Sequence, residues 1–124
     1  KGKKVLIADD NPINVMLAKQ FLKRWEIESE GSVNGAEALR AVQNVGYDLV
    51  LMDLQMPEMD GYEATQQIRQ LREQRFRSLP IIALSASTLS EIKEKAFDAG
   101  MNDVITKPFT PKDLYDKISA YLER

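Results

Sequence analysis

The stretch Leu49-Val50-Leu51-Met52, which ends at once on the carboxylate of Asp53, limits what this chain can fold into more than any other. Four apolar residues in succession, without alternation, suit a strand covered on both faces rather than one with a wet side. Turn residues follow closely, Pro57 and then Asp60-Gly61, so the strand stops where Asp53 emerges. The pattern recurs along the chain. Lys3 to Ala8 runs into Asp9-Asp10, Leu79 to Leu84 runs into Ser85, and Val104 to Thr106 runs into Lys107-Pro108. A fifth run, Glu28 to Val33, is polar and contains Gly31, which suits the edge of a sheet.

Helix patterns lie between these runs. Asn11-Pro12 reads as a cap followed by a first-turn proline, and Ile13, Met16, Leu17, Phe21 and Trp25 predict the inward stripe of the first helix. Asn34-Gly35 reads as a turn, after which Ala38, Leu39, Val42 and Val45 mark a second helix. A third is predicted from Gly61 to near Arg72, with Arg69, Arg72, Arg75 and Arg77 as a solvated basic patch at its end. A fourth spans Ser90 to Ala99, and Thr110-Pro111 opens a fifth carrying Leu114, Ile118 and Leu122. Strand followed by helix, repeated with short connections, predicts a doubly wound α/β fold with five helices on the two faces of a five-stranded parallel sheet. All 124 residues are read as one domain.

Composition removes several kinds of chemistry. With no histidine and no cysteine, Ser-His and Cys-His nucleophiles, disulfides and imidazole metal sites are excluded. Any metal would be held by oxygen, which points to a hard cation such as Mg²⁺. A net charge of −2 gives no electrostatic case for nucleic acid or an anionic membrane. No apolar run approaches the roughly 18–20 residues a membrane span needs. Lys1-Gly2-Lys3-Lys4 carries no signal-peptide pattern and no initiator Met, so the chain reads as a fragment or a trimmed piece, and its lack of cysteine suits a cytoplasmic location.

The strands of a parallel sheet point one way, so residues far apart in sequence meet at their C-terminal ends. Asp9, Asp10, Asp53, Ser85 and Lys107 fall on that edge. Singly, the acidic pair could cap a helix, Ser85 could be a loop hydroxyl, and Lys107 a surface cation. Together they make a carboxylate nucleophile, Asp53, beside further carboxylates that a divalent cation would neutralise, with a lysine and a hydroxyl for phosphoryl oxygens.

With these residues in place the chain resembles the receiver domains of two-component response regulators over essentially its whole length. The resemblance rests on Asp9-Asp10, Met52 to Gly61, Ser85-Ala86 and Lys107-Pro108. It implies a flavodoxin-like sheet in the order 2-1-3-4-5, with Asp53 as the phosphorylated residue. It implies Mg²⁺ held by Asp10, Asp53 and the Gln55 backbone carbonyl, with Asp9 helping directly or through water. Ser85 and Lys107 would bind the phosphoryl group, and the Lys107–Pro108 peptide would be cis. The partner would be a histidine kinase dimerisation domain or a histidine phosphotransfer domain, docking over Asn11, Ile13, Asn14 and Lys107-Pro108-Phe109. No nucleic acid or membrane contact is expected of this domain, and a weak homodimer is left open. Asp10 to Asn14 and Asp53 to Pro57 resemble receivers fused to hybrid sensor histidine kinases. A stand-alone or effector-linked regulator remains the alternative.

One position departs from the family. The aromatic residue usual three places before the lysine is Val104 here, which keeps a non-phosphorylated docking module in view. Haloacid dehalogenase-type phosphatases would want an Asp at the position of Gln55. A flavin mononucleotide module would not place Asp9-Asp10 where its phosphate must sit.

Overall fold

The computed structural model describes residues 2–56, 59–86, 90–107 and 110–122. Strands β1 (Lys4–Ala8), β2 (Glu28–Ser32), β3 (Leu49–Asp53), β4 (Ile81–Ser85) and β5 (Asp103–Thr106) form one sheet in the order β2-β1-β3-β4-β5. Every pairing is parallel. Polar β2 lies at the edge, as its composition predicts. Among the described residues there are six helices: α1 (Pro12–Arg24), α2 (Gly35–Asn44), α3 (Gly61–Arg69), α4 (Arg75–Ser78), α5 (Ser90–Ala99) and α6 (Pro111–Leu122).

The unbroken apolar runs are explained by two cores. Leu6, Ala8, Val50, Met52, Ile81 and Ala83 face one way and pack with Ala38, Val42, Ala64, Ile68 and Ala96 of α2, α3 and α5. The alternate residues Val5, Ile7, Leu49, Leu51, Ile82 and Leu84 face the other way, against Ala18 and Leu22 of α1 and Leu114, Ile118 and Leu122 of α6. Period-two alternation thus exists, but both faces are apolar.

Three expectations are corrected. The chain has a sixth helix, α4, a single turn whose Phe76 is buried while Arg75 and Arg77 are exposed; its charged composition hides it from a search for helical stripes. The inward face of α1 is carried by Ala18 and Leu22, flanked by half-buried Val15, Phe21 and Trp25. Ile13, Met16 and Leu17 are instead 65%, 57% and 44% exposed. Apolar residues lie on more than one side of α1, so spacing alone cannot choose the buried one.

The third correction concerns the basic patch. Arg69 is not a solvated helix end. Its Nε donates to the Gly100 carbonyl at 2.9 Å, Nη1 to the Phe76 and Leu79 carbonyls at 2.7 Å each, and Nη2 to Asn102 Oδ1 at 2.8 Å. Asn102 Oδ1 also accepts from the Ile81 N–H at 2.9 Å. One guanidinium therefore ties the end of α3 to α4 and to the segments that enter β4 and β5. Burial lowers its pKa from the ordinary arginine value.

Candidate functional site

The parallel sheet delivers its C-terminal ends to a cleft of about 870 Å³. Asp9 follows β1 and is buried; its N–H donates to the Ser32 carbonyl at 3.0 Å, so β2 fixes where it leaves the sheet. Asp53 is the last residue of β3 and pairs with Leu84. Ser85 closes β4 and pairs with Thr106. The Lys107 N–H continues that ladder, donating to the Ser85 carbonyl at 2.6 Å. Asp10 is exposed at the rim, and Asn11 caps α1 by accepting the Ile13 N–H at 2.9 Å.

The predicted residues Asp9, Asp10, Asp53, Gln55, Ser85 and Lys107 all line this cleft. Lys107 Nζ lies 3.2 Å from Asp9 Oδ2 and 3.2 Å from Asp53 Oδ2. The remaining oxygens of these two carboxylates are also engaged. Asp9 Oδ1 accepts the Asn11 N–H at 2.9 Å, and Asp53 Oδ1 accepts the Gln55 N–H at 3.2 Å. Burial raises the Asp53 pKa first, and the Asp9 charge adds to it; the Gln55 N–H and Lys107 act the other way without cancelling it. Burial by itself would lower the Lys107 pKa, but Asp53 and Asp9 outweigh it and hold the ammonium charged.

Three carboxylates against one lysine leave this cluster with two negative charges. Asp9, Asp10 and Asp53 can each offer an oxygen within 4.8 Å of the others. An all-oxygen donor set of that charge fits a divalent hard cation such as Mg²⁺ and does not fit a soft one.

The cleft extends beyond the predicted residues to Asn14 on α1, Tyr62 on α3, and Ile92 and Lys95 on α5. Lys95 Nζ sits 4.3 Å from the centre of the Tyr62 ring. These residues have ordinary helical spacing in sequence and only the packing of α3 against α5 brings them to the site. Val104 is half-buried among the side chains of the α5 face. Pro108, Phe109 and the peptide bond between Lys107 and Pro108 lie outside the described residues.

The response regulator receiver domain family matches residues 5–119 of this chain. The sensor protein GacS of Pseudomonas syringae pv. syringae is 41% identical over 115 residues, which cover 92% of this chain and 13% of that protein. The receiver domain of the sensor histidine kinase PA1611 from Pseudomonas aeruginosa, solved with a magnesium ion in its active site cleft, is 33% identical with a TM-score of 0.90 and full coverage of both chains. The receiver domain of Ssk1 from Saccharomyces cerevisiae, solved with the phosphotransfer protein Ypd1, is 34% identical with a TM-score of 0.88, over 96% of this chain and 88% of that one. The chain belongs to the response regulator receiver domain family. It spans about an eighth of the length of the GacS relative. No helix among the described residues is long and apolar enough to cross a membrane.

Proposed function

We propose that this chain is a phosphoacceptor domain that takes a phosphoryl group from a phosphohistidine onto Asp53. The observation that carries the reading is a buried carboxylate, Asp53, with Lys107 Nζ at 3.2 Å and Asp9 and Asp10 close enough to share a cation with it. An Asp53 oxygen attacks phosphorus, the bond from phosphorus to the donor imidazole nitrogen breaks, and the imidazole leaves neutral once it takes up a proton. Asp9, Asp10, Asp53 and the Gln55 carbonyl would hold Mg²⁺, which supplies charge neutralisation for the phosphoryl oxygens. Lys107 moves from its place between Asp9 and Asp53 to a phosphoryl oxygen, and the Ser85 hydroxyl donates to another. Burial and the Asp9 charge push the Asp53 pKa up, so a bound cation beside Lys107 would keep the attacking carboxylate ionised.

The donor histidine belongs to a partner, since this chain has none. Asn11 and Asn14 reach the cleft, and Ile13, Met16 and Leu17 expose an apolar patch on the same helix. That patch suits the apolar face of a helix bearing the phosphohistidine, in a histidine phosphotransfer or kinase dimerisation domain. The likeness to the Ypd1-bound receiver supports this partner, and the likeness to GacS supports a place within a sensor protein, which we read as a hybrid histidine kinase with this domain on its cytoplasmic side. The test is intact-mass measurement after incubation with acetyl phosphate or a phosphohistidine donor in Mg²⁺. One added phosphoryl group, absent in Asp53→Asn and with chelator, is the expected result. No addition from either donor to the folded protein would refute the reading and favour a docking module.

A further inference from the structure

We propose that Gly35 is a positioning residue for phosphoryl transfer, because its N–H and its missing side chain hold the cleft wall beside Asp53 in place from α2. The proposal rests on the reading of Asp53 as an Mg²⁺-dependent acceptor. The wall in question is the connection between β3 and α3. Leu54, Gln55, Met56 and Asp60 line the cleft, and Gln55 is the residue offered as a carbonyl ligand. This connection is tied to the sheet by the Leu54 N–H, which donates to the Leu84 carbonyl at 3.2 Å, and to itself by the Gly61 N–H on the Leu54 carbonyl at 3.2 Å. A third tie comes from a different part of the chain: the Gly35 N–H donates to the Met59 carbonyl at 3.0 Å.

The approach is so close that no other residue fits. A Cβ on Gly35 would lie 2.4 Å from the Met59 carbonyl oxygen and 3.0 Å from its carbon. These are backbone atoms, so no rotamer change relieves the clash. Which side yields is decided by how α2 begins. Asn34 Oδ1 accepts the Glu37 N–H at 2.8 Å, and Glu37 Oε1 accepts the Val33 N–H at 3.1 Å. This reciprocal cap pins the first turn of α2. With that turn held, the displacement falls on Met59 and Asp60 and reaches the residue before Gln55 through the Gly61 N–H on the Leu54 carbonyl.

Gly35→Ala tests this, with Gly46→Ala as control, since a Cβ there meets nothing within 4 Å. Mg²⁺ affinity by titration calorimetry is the readout, beside the melting temperature in EDTA. Loss of a group that orients a metal ligand typically weakens metal binding about 10- to 100-fold, and that range is expected for Gly35→Ala but not for Gly46→Ala. A purely structural role predicts a lower melting temperature in EDTA from the clash but wild-type Mg²⁺ affinity in the folded variant. Wild-type affinity in folded Gly35→Ala overturns the proposal. If that variant does not fold, Glu37→Ala, which frees the Val33 N–H and loosens the first turn of α2 without adding a Cβ at position 35, replaces it, and unchanged Mg²⁺ affinity there overturns the proposal. A wild-type chain that binds no Mg²⁺ fails the acceptor reading itself and overturns the proposal with it.

Discussion

Replacing Arg69 by methionine keeps the aliphatic stem and removes all of the donors that staple α3 to α4, β4 and β5. Hydrogen bonds from a charged donor contribute about 1.5–3 kcal/mol each, but the four here do not count equally. Asn102 is exposed, so water can replace Arg69 on its side chain. Phe76 and Leu79 are buried, and both of their carbonyls share Nη1. Two buried acceptors left unpaired cost about 1–3 kcal/mol each, which puts the loss at about 3–5 kcal/mol for the whole staple. At a urea dependence of about 1.5 kcal/mol per molar, the unfolding midpoint should fall by about 2–3 M.

The chain has a single tryptophan, Trp25, which packs beside Tyr115 at 5.0 Å on the opposite face of the sheet. Its fluorescence therefore reports loss of the whole domain rather than fraying near Arg69. Arg69→Lys retains the charge but not the planar fork, and should lose about half as much. Mg²⁺ affinity should be unchanged in either variant, because the staple lies at the end of the sheet away from Asp53. An Arg69→Met midpoint within about 0.5 M of wild type would refute the assignment of stability to this group.

Two further predictions concern the site. Burial raises the Asp53 pKa, so ionising it costs stability, and that cost grows as pH rises through the raised value. In EDTA, Asp53→Asn should therefore melt above wild type at neutral pH, with the gap closing once the pH falls below the raised pKa; a gap that widens on acidification would contradict the shift. Ile13→Asp/Met16→Asp should slow phosphotransfer from a histidine-bearing partner by at least about tenfold, the equivalent of about 1.4 kcal/mol. The same pair should leave labelling by acetyl phosphate at the wild-type rate, and equal slowing of both reactions would remove α1 as the docking face.

Strands β1, β3 and β4 were legible because burial on both faces leaves their interiors apolar, and the polar residue at each C-terminal end then marks the cleft. Asn11 and Thr110 were legible as caps for a local reason: each accepts an N–H two or three residues on, from Ile13 and Asp113. What stayed hidden depends on partners distant in sequence. Arg69 has mostly backbone carbonyls as acceptors, and carbonyls have no sequence signature. Asn34-Gly35 looks like any turn until Met59 is seen against it. The buried face of α1 is not legible because Ile13, Met16 and Leu17 are as apolar as Val15, Ala18 and Leu22, and only the neighbouring helix and sheet decide between them.

Strand register has a consequence for where this domain tolerates added length. Ala8 stands opposite Met52, Asp53 opposite Leu84 and Ser85 opposite Thr106, so the cleft is assembled by counting residues along four strands. One residue inserted in β1 or β3 would turn its carboxylate to the other face of the sheet. Insertions at the opposite end face no such constraint. Gly46 looks onto open space and Arg72 to Gln74 are exposed, so a peptide or sensor module grafted there would lengthen the chain without altering that count. Variation in length is thus permitted at one rim of the sheet and barred at the other.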